Sequence, residues 1–66
     1  MQTQSTSWIN IDTVTELYGI KIKHRDHGWI DAGDETGMFQ FGTTKERDEK
    51  RSELRKLNPE WAAKSK

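Results

Sequence analysis

One stretch, Tyr18 to Phe41 (YGIKIKHRDHGWIDAGDETGMFQF), leaves this chain few choices of fold, because its apolar residues alternate with polar ones in three successive runs. In the first run Tyr18, Ile20 and Ile22 point one way and Gly19, Lys21, Lys23 and Arg25 the other, since strand side chains repeat with period two. After Asp26-His27-Gly28 the second run puts Ile30 and Ala32 on the first face and Trp29 and Asp31 on the second. After Asp34-Glu35-Thr36-Gly37 the third run turns Phe39 and Phe41 inward and Met38 and Gln40 outward. A single choice of inside and outside satisfies all three runs, and both connections carry the Asp and Gly residues of tight hairpins. The stretch therefore predicts a three-stranded antiparallel β-meander.

The flanks complete a two-layer domain. Met1 to Ser7 is built of Gln, Thr and Ser with nothing to bury, so residues 1–7 are expected to be a disordered start. Trp8, Ile9 and Ile11 suit a short extra strand or a cover over an open sheet edge, and Asp12 to Leu17 leads into the first main strand. Thr43-Thr44-Lys45-Glu46 has the form of a capping box, predicting a helix from about Thr44 to Leu57. Its acids come early (Glu46, Asp48, Glu49) and its bases late (Arg55, Lys56), as the helix dipole favours. The apolar face is sparse, Leu54 and Leu57 extended by the stems of Arg47 and Lys50. Asn58-Pro59 ends the helix and can open a further turn to about Lys64 with Trp61 turned back onto Leu57. The fold class is α+β: one βββα domain over residues 8–64, with the C-terminal helix across the inner face of the meander.

Sixty-six residues suffice for one small core, and with 33% charged against 30% apolar residues that core must be thin. The absence of cysteine fits a reducing compartment, and neither a membrane-length apolar run nor a signal-peptide pattern is present, so the expected location is cytoplasmic. The net charge is zero, but residues 27 to 42 hold Asp31, Asp34 and Glu35 without a base. Residues 50 to 66 hold Lys50, Arg51, Arg55, Lys56, Lys64 and Lys66 against Glu53 and Glu60. Local basic groups can hold phosphate whatever the total, because counterion release depends on the contacting charges.

Candidate chemistry is scarce. His24, Asp26, His27 and Asp31 are metal-ligand types, but their spacing matches no established motif and turn geometry explains the Asp and Gly. DAGDETG lacks the alternating acids and terminal Glu of a calcium loop. No phosphate-binding glycine loop or nucleophile set is present, so no catalytic residue, metal, cofactor or small-molecule substrate is expected. The outer sheet face is the informative part: Lys21, Lys23, Arg25, Trp29, Met38 and Gln40 would lie there together, with Asp31 among them. Basic side chains beside an aromatic on a flat sheet can contact phosphates and base edges in a groove. An exposed tryptophan marks a contact site or a hidden packing partner, so Trp29 is expected either to bind a partner or to be covered by the N-terminal segment.

The order of elements, YGIKIKHRDHGWIDA followed by FQFGTTKERDEKRSELRKL, resembles the arm-type DNA-binding domain at the front of phage tyrosine recombinases over roughly Tyr18 to Leu57. More distantly it resembles the plant ethylene-response DNA-binding domain. The resemblance implies a three-stranded sheet entering the major groove, with Lys21, Lys23, Arg25, Trp29 and Gln40 as the contact face. Asp31 and the acidic hairpin tip depart from that pattern by facing phosphate. The expected function is that of a free-standing, DNA-binding accessory or regulatory protein of a phage or other mobile element. The alternative is a protein-binding module or inhibitor, a phage-like or plasmid-like factor, docking on a host protein through the sheet face or the charged helix. A rival resemblance, VTELYGI then WIDAG, is to excisionase-type winged helix-turn-helix regulators, with Val14 and Leu17 in one helix and Trp29 and Ile30 in the next.

Overall fold

The computed structural model describes residues 1–63. Along the chain come β1 (Thr3–Asn10), β2 (Thr15–His24), β3 (Gly28–Asp31), a small hairpin of β4 (Gly33–Asp34) and β5 (Gly37–Met38), and α1 (Thr44–Lys56). β1, β2 and β3 form an antiparallel sheet in that order, with the helix C-terminal to it, a small α+β fold. The alternation in the first run does what it promised, burying Ile20 and Ile22. No helix occupies residues 14–17 or 29–30, so the helix-turn-helix arrangement is excluded: Gly28–Asp31 is a strand, and Leu17 lies within β2. Among the described residues no helix is long and apolar enough to cross a membrane.

The expected disordered start over residues 1–7 is corrected by β1, which pairs with β2 from Thr3↔Ile22 to Asn10↔Thr15. A strand can be held by backbone bonds alone, so a Thr/Ser/Gln segment without an apolar period still pairs when its neighbour is a well-formed strand. Its beginning is anchored as well. Arg51 Nε donates to Thr3 Oγ1 at 2.9 Å, and the buried Met1 donates its ammonium to the carbonyls of Arg55 (3.2 Å) and Leu57 (2.8 Å). That places a positive charge on the negative end of the helix.

The third expected strand is also corrected. After β3 the chain leaves the sheet through β4 and β5, then returns, with Phe39 N–H donating to Ala32 O at 3.0 Å. Phe41 next exchanges hydrogen bonds with Tyr18 at 2.8 and 2.9 Å. Phe39 to Phe41 thus continues the line of β3 along the same edge of β2, and the excursion between them is an inserted hairpin. Met38 belongs to that hairpin, opposite Gly33, and not to a third sheet strand. Gly33 is required there because a Cβ would lie 2.3 Å from Gly37 O, a backbone atom that cannot swing aside.

The core is Met1, Ile20, Ile22, Ala32 and Ala62, with Ile30, Phe39, Phe41 and Leu54 packed partly against it. Leu57, expected inside, is 54% exposed because it is the C-cap, its N–H turned back to Leu54 O at 3.1 Å. At the other end Thr43 Oγ1 accepts from Glu46 N–H at 3.3 Å, as the capping pattern implied. Between these ends the helix buries no residue fully. Cations dock it instead: Arg47 lies 5.5 Å from the ring centre of Tyr18 and Lys50 5.1 Å from that of Phe39. After Pro59 the chain makes one turn, Ala62 N–H to Pro59 O at 3.1 Å, then pairs with the end of β2 through Arg25 N–H to Trp61 O and Ala63 N–H to Lys23 O. Trp61 stacks on His24 at 5.5 Å. The expected domain boundary at 64, with Lys64 and Lys66, lies outside the described residues.

Ile20, 1% exposed, is the most enclosed side chain. Its truncation in Ile20→Ala is expected to cost about 3 kcal/mol, a large share of the roughly 3–10 kcal/mol a domain of this size holds. A denaturant midpoint unchanged from wild type would contradict the core described above.

Candidate nucleic-acid interface

The outer sheet face follows from the register. Gln4 lies opposite Lys21, Thr6 opposite Gly19, and Trp8 opposite Leu17, while on the other side Lys21 meets Asp31 and Lys23 meets Trp29. Since Ile20 and Ile22 point to the helix, all of these point away from it. Gly19 has a packing reason: a Cβ there would come within 2.6 Å of Trp8 Cζ3, so the indole lies across the bare backbone. Trp29 stays 40% exposed, with Lys23 Nζ 5.5 Å from its ring centre. An exposed cation–π contact of this kind is worth about 0.5–1 kcal/mol. It orients the ring and holds the ammonium beside it. Neither Lys21 nor Lys23 forms an ion pair among the described residues.

The six candidate residues do not all converge. Lys21, Lys23 and Trp29 share the face, and alternation from the paired Phe41 sets the exposed Gln40 on the same side. Arg25 lies past the end of β2, 3.9 Å from Asp26, and lines an open cleft of about 1000 Å³ with Met1, Arg55, Lys56, residues 57–60 and Ala62 and Ala63. Met38 is carried away from the face by its hairpin. Sequence reasoning passed over Gln4 and Thr6 and read Trp8 only as part of a short extra strand or edge cover; all three enter the face through the β1 pairing. A second opening, about 480 Å³, lies under the end of the helix and is walled largely by Ile22, Ala32, Phe39, Leu54 and Trp61.

The histidines are accounted for by the turn. His24 Nδ1 accepts from Asp26 N–H at 3.0 Å and His27 N–H at 3.2 Å, and the two rings lie 4.5 Å apart. Among the described residues no group of three or more His, Asp or Glu converges as a metal site would require.

The β1–β2 hairpin carries an apolar tip. Ile9, Ile11 and Val14 are 65%, 86% and 82% exposed. Asn10 Oδ1 accepts from Asp12 N–H at 3.0 Å to form the turn, yet Val14 sits at φ 51°, a left-handed conformation that its branched Cβ opposes. Val14→Asn, which keeps a side chain but tolerates that conformation, is expected to raise stability by about 1 kcal/mol in a denaturant titration. A loss of stability would show that Val14 makes a compensating contact.

In the inserted hairpin Asp34 Oδ1 accepts from the Thr36 hydroxyl at 2.6 Å and from Thr36 N–H at 2.9 Å, and these bonds hold its carboxyl below the ordinary carboxylate pKa. A lowered folded-state pKa means that the contribution is complete above the unfolded value and fades as pH falls through the folded one. Amide exchange at Thr36 should therefore accelerate, relative to its intrinsic rate, as pH falls through and below the ordinary carboxylate range, and Asp34→Asn should flatten that dependence. A wild-type profile already flat would remove the carboxylate from the account. No protein-family model matches the chain, nor does any curated protein or solved structure.

Proposed function

We propose that this chain is a small DNA-binding accessory factor that lays the outer face of its sheet against a duplex. The observation that carries the reading is the exposed strip of Lys21, Lys23 and Trp29, with Lys23 held over the indole and neither lysine ion-paired among the described residues. In this reading Lys21 and Lys23 take phosphates, the amides of Gln4 and Gln40 reach base edges, and Trp29 packs on the sugar or base surface. A major groove about 12 Å wide admits a two-stranded ribbon such as β2–β3. The role is one of binding, not catalysis. It implies a cytoplasmic protein and suits a regulator from a phage or other mobile element, in keeping with the arm-type resemblance.

Two phosphate contacts give a salt slope of only about −1.8, so affinity should be modest and clearest at low ionic strength. Duplex titrated into the protein while tryptophan fluorescence is followed should show binding that weakens between low and moderate salt. Lys21→Ala and Lys23→Ala should each reduce the slope by about 1 while leaving stability within about 0.5 kcal/mol for Lys21 and about 1 kcal/mol for Lys23, which loses its contact with the Trp29 ring. Wild type that binds no duplex at low ionic strength ends the reading.

A second reading, docking on a host protein, is favoured by the exposed and strained hairpin tip at Ile9, Ile11 and Val14. Its complex would hold through moderate salt and be lost in Ile11→Ser with Lys21→Ala unaffected.

A further inference from the structure

We propose that β1 is an open pairing edge whose partner is the β1 strand of a second copy of this chain, joining two three-stranded sheets into one six-stranded sheet. Lys23 N–H donates to Gln2 O at 3.1 Å, which fixes the phase: even-numbered residues of β1 turn their peptide groups toward β2. Thr3, Ser5, Ser7 and Ile9 therefore turn theirs outward. Arg51 Nη2 approaches Thr3 O at 3.5 Å. Ser5, Ser7 and Ile9 are exposed, and among the described residues the register leaves their outward peptide groups open along that edge.

Natural edge strands are blunted by charge, proline, bulges or brevity. β1 has none of these: its eight residues, TQSTSWIN, hold no charge, no proline and no glycine. The opposite edge is protected, since β3 has four residues, ends at Asp31 and gives way to the inserted hairpin. Among the described residues, one side of the sheet is thus open.

The occupant follows from symmetry and charge. An antiparallel strand pair has a two-fold axis perpendicular to the sheet, so a strand with a free edge can pair with its own copy, and the assembly closes at two. An uncharged strand meets no like charge when it faces itself, and cross-strand Ser and Thr pairs are favourable. The same axis puts the outer faces of both copies on one side. The two β2 strands would lie three strand spacings apart, roughly 14 Å. This inference does not rest on the DNA reading, and its test contains no DNA.

Sedimentation equilibrium at about 10 µM and about 500 µM, a span that reveals weak association, should show the mass rising from 7.7 kDa toward twice that value. Amide exchange in the concentrated sample should protect Ser5, Ser7 and Ile9 beyond the dilute one. Ser7→Pro removes an outward donor without touching a β1–β2 bond, a placement that edge strands tolerate. Ser5→Lys adds the missing charge and serves if the proline variant does not fold. Either variant, folded by circular dichroism, should stay at 7.7 kDa at both concentrations. Wild type that remains monomeric at the higher concentration overturns the proposal, as does a dimer in which those three amides are unprotected or the folded variants still associate.

Discussion

The whole molecule hangs on the backbone hydrogen bonding of β2. One edge is taken by β1 and, where β1 turns away at its start, by Trp61 to Ala63. The other is taken by β3 and, past the inserted hairpin, by Phe39 to Phe41. Peptide groups left unpaired beside Ile20 and Ile22 would lose water without replacement, a penalty comparable to a lost hydrogen bond each. Four separate segments, drawn from both ends of the chain and the middle, are thereby fixed to one strand. The outer-face lysines are positioned by the same pairing, since they alternate with the residues it buries.

Against that strong centre the second layer is thin. The helix contributes Leu54 to the edge of the core and otherwise rests on the sheet through Arg47, Lys50 and Arg51. Cations over aromatic rings give less than a kilocalorie or so apiece when exposed. The hold is broad and weak where β2 is narrow and strong. Lys50 shows the economy of the arrangement: one side chain covers Phe39 and also pairs with Glu53 at 3.3 Å.

Much of this was readable from the residues, and the parts that were not share a cause. The alternation of Tyr18, Ile20 and Ile22, the turn at Asp26-His27-Gly28 and the Thr43 cap all leave marks in side-chain type. β1 leaves almost none, because Thr, Gln and Ser pair through their peptide groups and show no apolar period. The run from Met38 to Phe41 alternates as a strand should, and Phe39 and Phe41 do face inward. Gly33 and Gly37, which create the excursion, read equally well as parts of one ordinary turn. Leu57 looked like core by spacing from Leu54, but Asn58-Pro59 forces the helix to stop at that residue. For the candidate face, Lys21, Lys23 and Trp29 were legible from alternation; Trp8 was not, since its place depends on which strand it pairs with.

The clasp between Met1 and the carbonyls of Arg55 and Leu57 bears on how the chain matures. These contacts span 54 and 56 positions, nearly the full length of the sequence. During synthesis the β1–β2 hairpin can zip from its turn as soon as position 22 is available, but the fastening of its open end must wait until position 57 has emerged. Domains dominated by such distant closures fold slowly for their size. Until the helix arrives, the open end of that hairpin is unfastened, so the nascent chain passes through an interval in which pairing with a neighbour competes with completing itself.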